Sequence, residues 1–307
     1  MLRFSSIVRA LRAALLAGAL SLCCAGAAAQ GLLWQAQRGQ STLFLAASIH
    51  VCDASCYPFP PTVLKALQVS EALAVELDPE RENVNEKIAQ RGFYPPGQSL
   101  RPLFDDDQYQ RLESVLDAEY KKKLSALMQM RPWLFQTAVS IYAAEKVGLD
   151  SSLGIDLKLM EQARTLKKPV RELETIDEQL QLLEVLDGAD PAGALKELGA
   201  QMESGLLGIQ LSNLVVVWKR GDAARLEAML DALQSESEKN PAFQKQEQER
   251  NQRMAQRILQ LMHEYRTLTV VVGAAHFLGP GNLLTLLQAQ GYEIRRLPTD
   301  VPPRPKK

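Results

Sequence analysis

Two short apolar runs constrain this chain more than any other feature: "TLFLAAS" at residues 42–48 and "TLTVVVG" at residues 267–273. Each is uncharged, rich in bulky or β-branched residues, and ends in small ones. Such a run reads as a strand buried on both faces. A strand of that kind sits inside a sheet, so the two ends of the chain have to meet in one sheet. Before the first run, "LLWQAQ" alternates weakly and "RGQS" is a turn, which predicts a hairpin. After it, "PPTVLKALQVS" opens with prolines at a helix start and "EALAVELD" follows as a short buried strand, a βαβ-like order. The second run leads into the loop "AAHFLGPG", the helix "NLLTLLQAQG" stopped by Gly291, and a last strand "YEIRRL".

From about residue 80 to 265 the periodicity is helical. "FDDDQYQRLESVLDAEY" opens with acids that suit a helix N-terminus, and "RPWLFQTAVSIYAAEKVG" stops at Gly148. "SSLGIDLKLMEQARTLKK" reads as a helix capped by Ser151 or Ser152, and "PVRELET" interrupts as a strand. The rest, up to "PAFQKQEQERNQRMAQRILQLMHEY", is helical. The expected fold is therefore α/β (α+β): a central mixed sheet built from the N- and C-terminal segments, with a large helical insertion or lobe. A single domain covers residues 30–297, and the Pro-rich tail at 298–307 is loose.

Residues 1–29 have the layout of a cleavable secretory leader: Arg3, Arg9 and Arg12, an apolar run from Ala13 to Leu22, and an A-x-A site at Ala27–Ala29. The run is shorter than the roughly 20 residues a membrane span needs. A lipid anchor on Cys23 or Cys24 is disfavoured by the bulky Leu22 before it. The expected location is periplasmic or secreted, with no transmembrane span in the mature chain. Losing the leader takes the formal net charge from −1 to −4 and leaves no basic stripe, so nucleic acid is excluded as an expected partner. Of four cysteines, Cys52 and Cys56 remain. In an oxidising compartment nearby thiols pair, and a disulfide is expected here; the alternative is two free, partly buried thiols.

The chain has three histidines, and two stand at matching places: His50 after "TLFLAASI" and His276 after "TLTVVVGAA". Both follow a buried run ending in small residues, which let a backbone turn or a ligand approach. If the two strands are parallel neighbours, both imidazoles reach the rim beyond the strand carboxyl ends, where open α/β sheets bind ligands. Glu76 and Asp78 end a third strand. Two imidazoles and a carboxylate on one rim suit a divalent transition metal ion with positions left for water. Taken singly, a histidine after a strand is more often a packing or hydrogen-bonding residue, and Asp78 before Pro79 can simply start a turn. His263 reads as a charge at a helix C-terminus, outside the site.

These stretches also resemble a known family. "SIHVCDASCYPFPPTVLKALQVSEALAVELD", "GIDLKLMEQARTLKKPVRELETIDEQLQLL" and "ERNQRMAQRILQLM…VVVGAAHFLGPGNLLTLLQAQGYEIRRL" are similar to the opening, middle and closing blocks of TraB/GumN family proteins. That family carries two G-x-x-H motifs. The second is intact as Gly273-Ala274-Ala275-His276, whereas the first departs, with Ala47 where Gly is usual. Glu76 matches the family's acidic position, Gly154-Ile155-Asp156 its G-I-D turn, and Glu249, Arg250 and Arg253 its charged E-R-N-x-R-M helix. The resemblance implies the scaffold shared with Tiki proteases, erythromycin esterases and ChaN-type lipoproteins.

The expectation is a metal-dependent hydrolase acting on a peptide or small-molecule substrate. His50 and His276 are metal ligands and Glu76 a ligand or general base. Arg250 or Arg253 neutralises an oxyanion or anchors a substrate carboxylate, unless both lie on an exposed helix face. The alternative is a protein without catalysis: a haem- or metal-binding protein, or a vestigial enzyme serving as a scaffold. Neither an H-E-x-x-H helix nor a G-x-S-x-G elbow is present.

Overall fold

The computed structural model describes residues 31–299 apart from 82, 188–189 and 238–240. The expected leader at 1–29 and residues 300–307 of the expected tail lie outside the described residues. Six strands form one sheet: β1 (Leu32–Arg38), β2 (Ser41–Ser48), β3 (Ala72–Val75), β4 (Val170–Glu172), β5 (Thr267–Gly273) and β6 (Glu293–Arg296). Among the described residues there are twelve α-helices. These are α1 (Pro61–Val69), α2 (Val84–Gly92), α3 (Asp106–Val115), α4 (Ala118–Leu127), α5 (Pro132–Lys146) and α6 (Ile155–Thr165). They continue with α7 (Ile176–Leu186), α8 (Pro191–Glu203), α9 (Leu206–Lys219), α10 (Ala223–Ser237), α11 (Pro241–Glu264) and α12 (Leu283–Ala289).

The strand order is β4-β3-β5-β2-β1-β6. β5 lies between β2 and β3 and is parallel to both, with Ser48 opposite Gly273 and Val75 opposite Val271. β1 returns antiparallel to β2 through Gly39 and Gln40, where Gly39 takes φ +58°, a conformation that favours glycine. β6 pairs antiparallel with β1 at the far edge. The ends of the chain thus meet as their apolar runs require, in a mixed sheet. One strand departs from that origin: β4 comes from the helical middle and joins the opposite edge, parallel to β3.

The central strands are buried on both faces, as the uninterrupted apolar runs demand: all four residues of β3 and five of the seven in β5. Met254 and Ile258 of α11 are buried in this sheet core. A second cluster, built on Leu112, Leu124, Phe135, Val139 and Leu195, gives the helical region its own core. Three expected helices begin or break elsewhere. The helix expected over 104–120 divides at Leu116, which is extended, because the Asp117 carboxylate accepts the amides of Glu119 and Tyr120 and starts a new helix. The helix expected from Ser151 begins at Ile155, after a 3₁₀ turn. The stretch around 211–234 breaks at Gly221, which takes φ +62°.

Among the described residues no helix is long and apolar enough to cross a membrane.

Candidate functional site

The parallel pairing of β2, β5 and β3 brings three strand ends to one rim. There Glu76, His50 and His276 follow β3, β2 and β5. All three line a single cleft of about 620 Å³, together with Gly273, Glu247 and Arg250.

His276 sits in the 3₁₀ turn Ala274–Phe277 and is 4% exposed. Its Nδ1 lies 2.6 Å from Asn251 Oδ1, while Asn251 Nδ2 donates to the Gly281 carbonyl at 3.2 Å. With the amide oriented by that carbonyl, Oδ1 is the acceptor and Nδ1 carries the hydrogen. Nε2 is left facing Glu76 Oε1 at 3.7 Å. Burial holds the His276 imidazole below its ordinary pKa, against the raising charge of Glu76.

His50 is the more open partner, with its side chain 66% exposed. Its Nδ1 lies 2.8 Å from Asp156 Oδ2 in the first turn of α6. That hydrogen bond, aided by the charges of Asp156 and Glu76, pushes the imidazole up to about 9. The loop carrying His50 is tied down from several sides. Ile155 N donates to Ile49 O at 3.0 Å, and Cys52 and Asp150 exchange backbone hydrogen bonds of 3.1 and 2.8 Å. Cys52 and Cys56 form the expected disulfide, both fully buried, with Cα atoms 6.4 Å apart. Gly154 supplies the space: a Cβ there would stand 2.8 Å from the His50 carbonyl oxygen and 2.8 Å from Asp156 Oδ1.

Glu76 joins the two histidines. Its Oε1 accepts the Gly273 amide at 2.5 Å and its Oε2 accepts Arg250 at 2.9 Å. Burial pushes this carboxyl up, but the charges of His276, His50 and Arg250 and the Gly273 N–H outweigh it and bring it to about 2. Gly273 has an ordinary backbone (φ −51°, ψ 142°), so its value is space: a Cβ would come 3.2 Å from Glu76 Oε1. Ala47, in the first motif, lies within β2 opposite Val272, outside the left-handed region, so its methyl strains nothing in the backbone. Its carbonyl accepts Trp218 Nε1 at 2.9 Å, tying α9 to the rim.

Arg250 reaches the cleft from α11 with a side chain 12% exposed. It donates to Glu174 at 2.6 and 2.7 Å, to Glu76 at 2.9 Å and to Glu247 at 3.2 Å. Burial opposes the charge, but these carboxylates hold the guanidinium above its ordinary pKa. Arg253 stands apart. It faces Glu178 at 3.4 Å and Glu249 at 4.0 Å in a separate recess of about 200 Å³. Asp78 also turns away and pairs with Arg164 at 2.7 Å. His263 lies exposed in the last turn of α11, as expected.

Sequence reasoning left Asp156, Asn251, Glu174 and Glu247 without roles. Two of them were findable. Glu247 lies three and four positions before Arg250 and Asn251, these lie four and three before Met254, and Met254 lies four before Ile258, so the stripe that covers the sheet also runs past its rim.

Among the described residues no three His, Cys, Asp or Glu side chains are gathered closely enough to hold an ion as they stand. The donor chemistry nevertheless fits one. Each imidazole is anchored through Nδ1 to a side-chain oxygen, the arrangement that orients metal-holding histidines. His276 Nε2 and Glu76 Oε1 face each other at 3.7 Å and would both be donors to such an ion.

The chain is similar over most of its length to known proteins. Metalloprotease TIKI1 of Danio rerio is 25% identical over 88% of this chain and 64% of its own length, and Metalloprotease TIKI2 of the same organism is 25% identical over 88% and 61%. The chain thus spans a little over three fifths of the length of these relatives. Uncharacterized protein YbaP of Escherichia coli is 30% identical over 47% of this chain and 53% of its own. No solved structure gives a significant match. The profile of the TraB/PrgY/gumN family matches residues 32–296, nearly the whole described chain, and the protein belongs to that family.

Proposed function

We propose that this protein is a metal-dependent hydrolase that cleaves peptide bonds at the rim of the sheet, outside the cytoplasm. The observation that carries it is the pair of Nδ1-anchored imidazoles that line one cleft together with the Glu76 carboxylate. The relatives named metalloproteases support the reaction class. The leader-like residues 1–29 and the Cys52–Cys56 disulfide support an oxidising compartment.

His50 Nε2, His276 Nε2 and the Glu76 carboxylate would hold a divalent transition metal ion. Such an ion polarises a substrate carbonyl and lowers the pKa of bound water. Asp156 and Asn251 orient the two rings. Glu76 Oε1 already accepts the Gly273 N–H and its Oε2 accepts Arg250, which fixes the carboxylate's aim and suits ligation better than general-base work. Arg250 spends its donors on Glu174, Glu76 and Glu247, so its role is to keep Glu76 ionised and aimed rather than to meet an oxyanion. Arg253 has no part in this cleft.

The test is metal content and hydrolysis of a peptide panel by the purified mature chain and its variants. His50→Ala and His276→Ala are expected to lose most bound metal and most hydrolysis together. Glu76→Gln is expected to lower metal content as well as turnover. Correctly folded histidine variants with full metal content and unchanged hydrolysis would overturn the mechanism and leave a non-catalytic binding protein in its place.

A further inference from the structure

The cleft has two unlike ends. The rim carries the histidines and carboxylates. The remaining wall comes from α5, α7, α9 and α10, through Ile141, Leu182, Leu183, Leu211, Leu214 and Leu230. Ile141, Leu183 and Leu230 belong to neither hydrophobic core cluster, so these side chains line a cavity rather than fill an interior. Apolar surface kept facing a cavity of this size is the mark of a ligand site.

The charges of the rim are already spent. Arg250 is surrounded by three carboxylates, and His50 is tied through Nδ1 to Asp156 at 2.8 Å. Apart from the metal ion proposed above, a free carboxylate on a substrate would find no unengaged cation among the described lining residues, so no lining side chain anchors a peptide C-terminus. A buried hydroxyl there is also unengaged. Ser48 Oγ is buried at the rim beside Gly273, in a residue 1% exposed, and has no hydrogen-bond partner among the described residues. A buried hydroxyl without a partner is costly unless something else completes it.

We propose that the cleft takes an internal, apolar segment of a polypeptide: its side chains lie against the α5, α7, α9 and α10 wall, and Ser48 Oγ hydrogen-bonds its main chain beside the scissile bond. This assignment rests on the hydrolase described above. At about 620 Å³ the cavity is of small-ligand size, so the segment is a few residues long.

Two capped pentapeptides test it, one with Leu-Phe-Leu at its centre and one with Gln-Asn-Gln, together with the apolar peptide bearing a free C-terminus. Binding is measured by calorimetry on the full chain and on Leu183→Gln, Leu230→Gln and Ser48→Ala, with cleavage followed separately. Leu183 and Leu230 lie outside the cores, so their variants should fold, which circular dichroism checks. The apolar capped peptide is expected to bind at least tenfold more tightly than the polar one. Each wall variant should narrow that ratio severalfold, and Ser48→Ala should weaken both peptides alike. Equal binding of the two capped peptides, or no binding of the apolar one, overturns the proposal even if both are cleaved. A free C-terminus that tightens binding tenfold overturns the internal-segment part. Apolar binding that depends on the wall without any cleavage upholds the binding preference while removing the hydrolase on which the substrate assignment rests.

Discussion

At the scale of single residues, the site is held by groups that never meet a substrate. Gly154 is the sharpest case. Its backbone is ordinary (φ −58°, ψ 140°), so the position requires no glycine for conformation. It requires glycine for room, because a methyl would press on the His50 carbonyl and on Asp156 Oδ1. Gly154→Ala should therefore push the His50 loop away from α6 and loosen the Asp156 hydrogen bond. The expected cost is about 1–3 kcal/mol of stability, as for other overpacked sites, with a loss of metal affinity of at least tenfold. Calorimetric metal titration beside a denaturant melt separates the two effects. Asp156 itself shows why such roles were hard to read. The sequence places it three residues after an ordinary loop, and only the return of the chain from α6 to the end of β2 brings it to an imidazole more than a hundred positions earlier.

At the scale of elements, much of the molecule was legible. All six strands fall within stretches the sequence marks as strands, and the parallel pairing of β2 with β5 is what two doubly buried runs demand. The less legible parts depend on partners rather than on pattern. β4 is too short for its run to say which edge it joins, and the break before α4 comes from one carboxylate outbidding helix continuation. α7 joins element to function. Thr175 and Glu178 cap each other's amides at its start, and the helix then presents Gln179, Leu182 and Leu183 to the cleft. Thr175→Ala should lower the unfolding free energy by about 1 kcal/mol. The same change should weaken Gln179's hold on Glu174, which lies at 2.7 Å, and through it the seat of Arg250. Urea titration gives the first quantity, and metal content after dialysis reads the second.

For the whole molecule, ionised carboxylates tie the helical region to α11 and the sheet rim. Glu178 is pushed up by burial, but the Arg257 and Thr175 hydrogen bonds outweigh that and hold it at about 2, the same value as Glu76. Both carboxyls are ordinarily near 4.5, so the stability they contribute is complete above that pH and is lost as the pH falls toward 2. The contribution of these two carboxyls should be constant above about pH 5 and fall away below 4.5, which unfolding midpoints across that range would read. Glu178→Gln should be less stable at neutral pH and show a shallower acid decline; an identical pH profile would show that the Arg257 pair contributes nothing. The place of β5 has a further consequence, in the order of synthesis. A ribosome makes β2 and β3 early, yet the strand that belongs between them begins only at Thr267. Until then each has an open edge, and the two stay unlinked. A chain cut short before that point lacks both the middle of its sheet and His276. For most of its synthesis this protein therefore exposes strands built for burial, and that is the interval in which incomplete chains associate with one another.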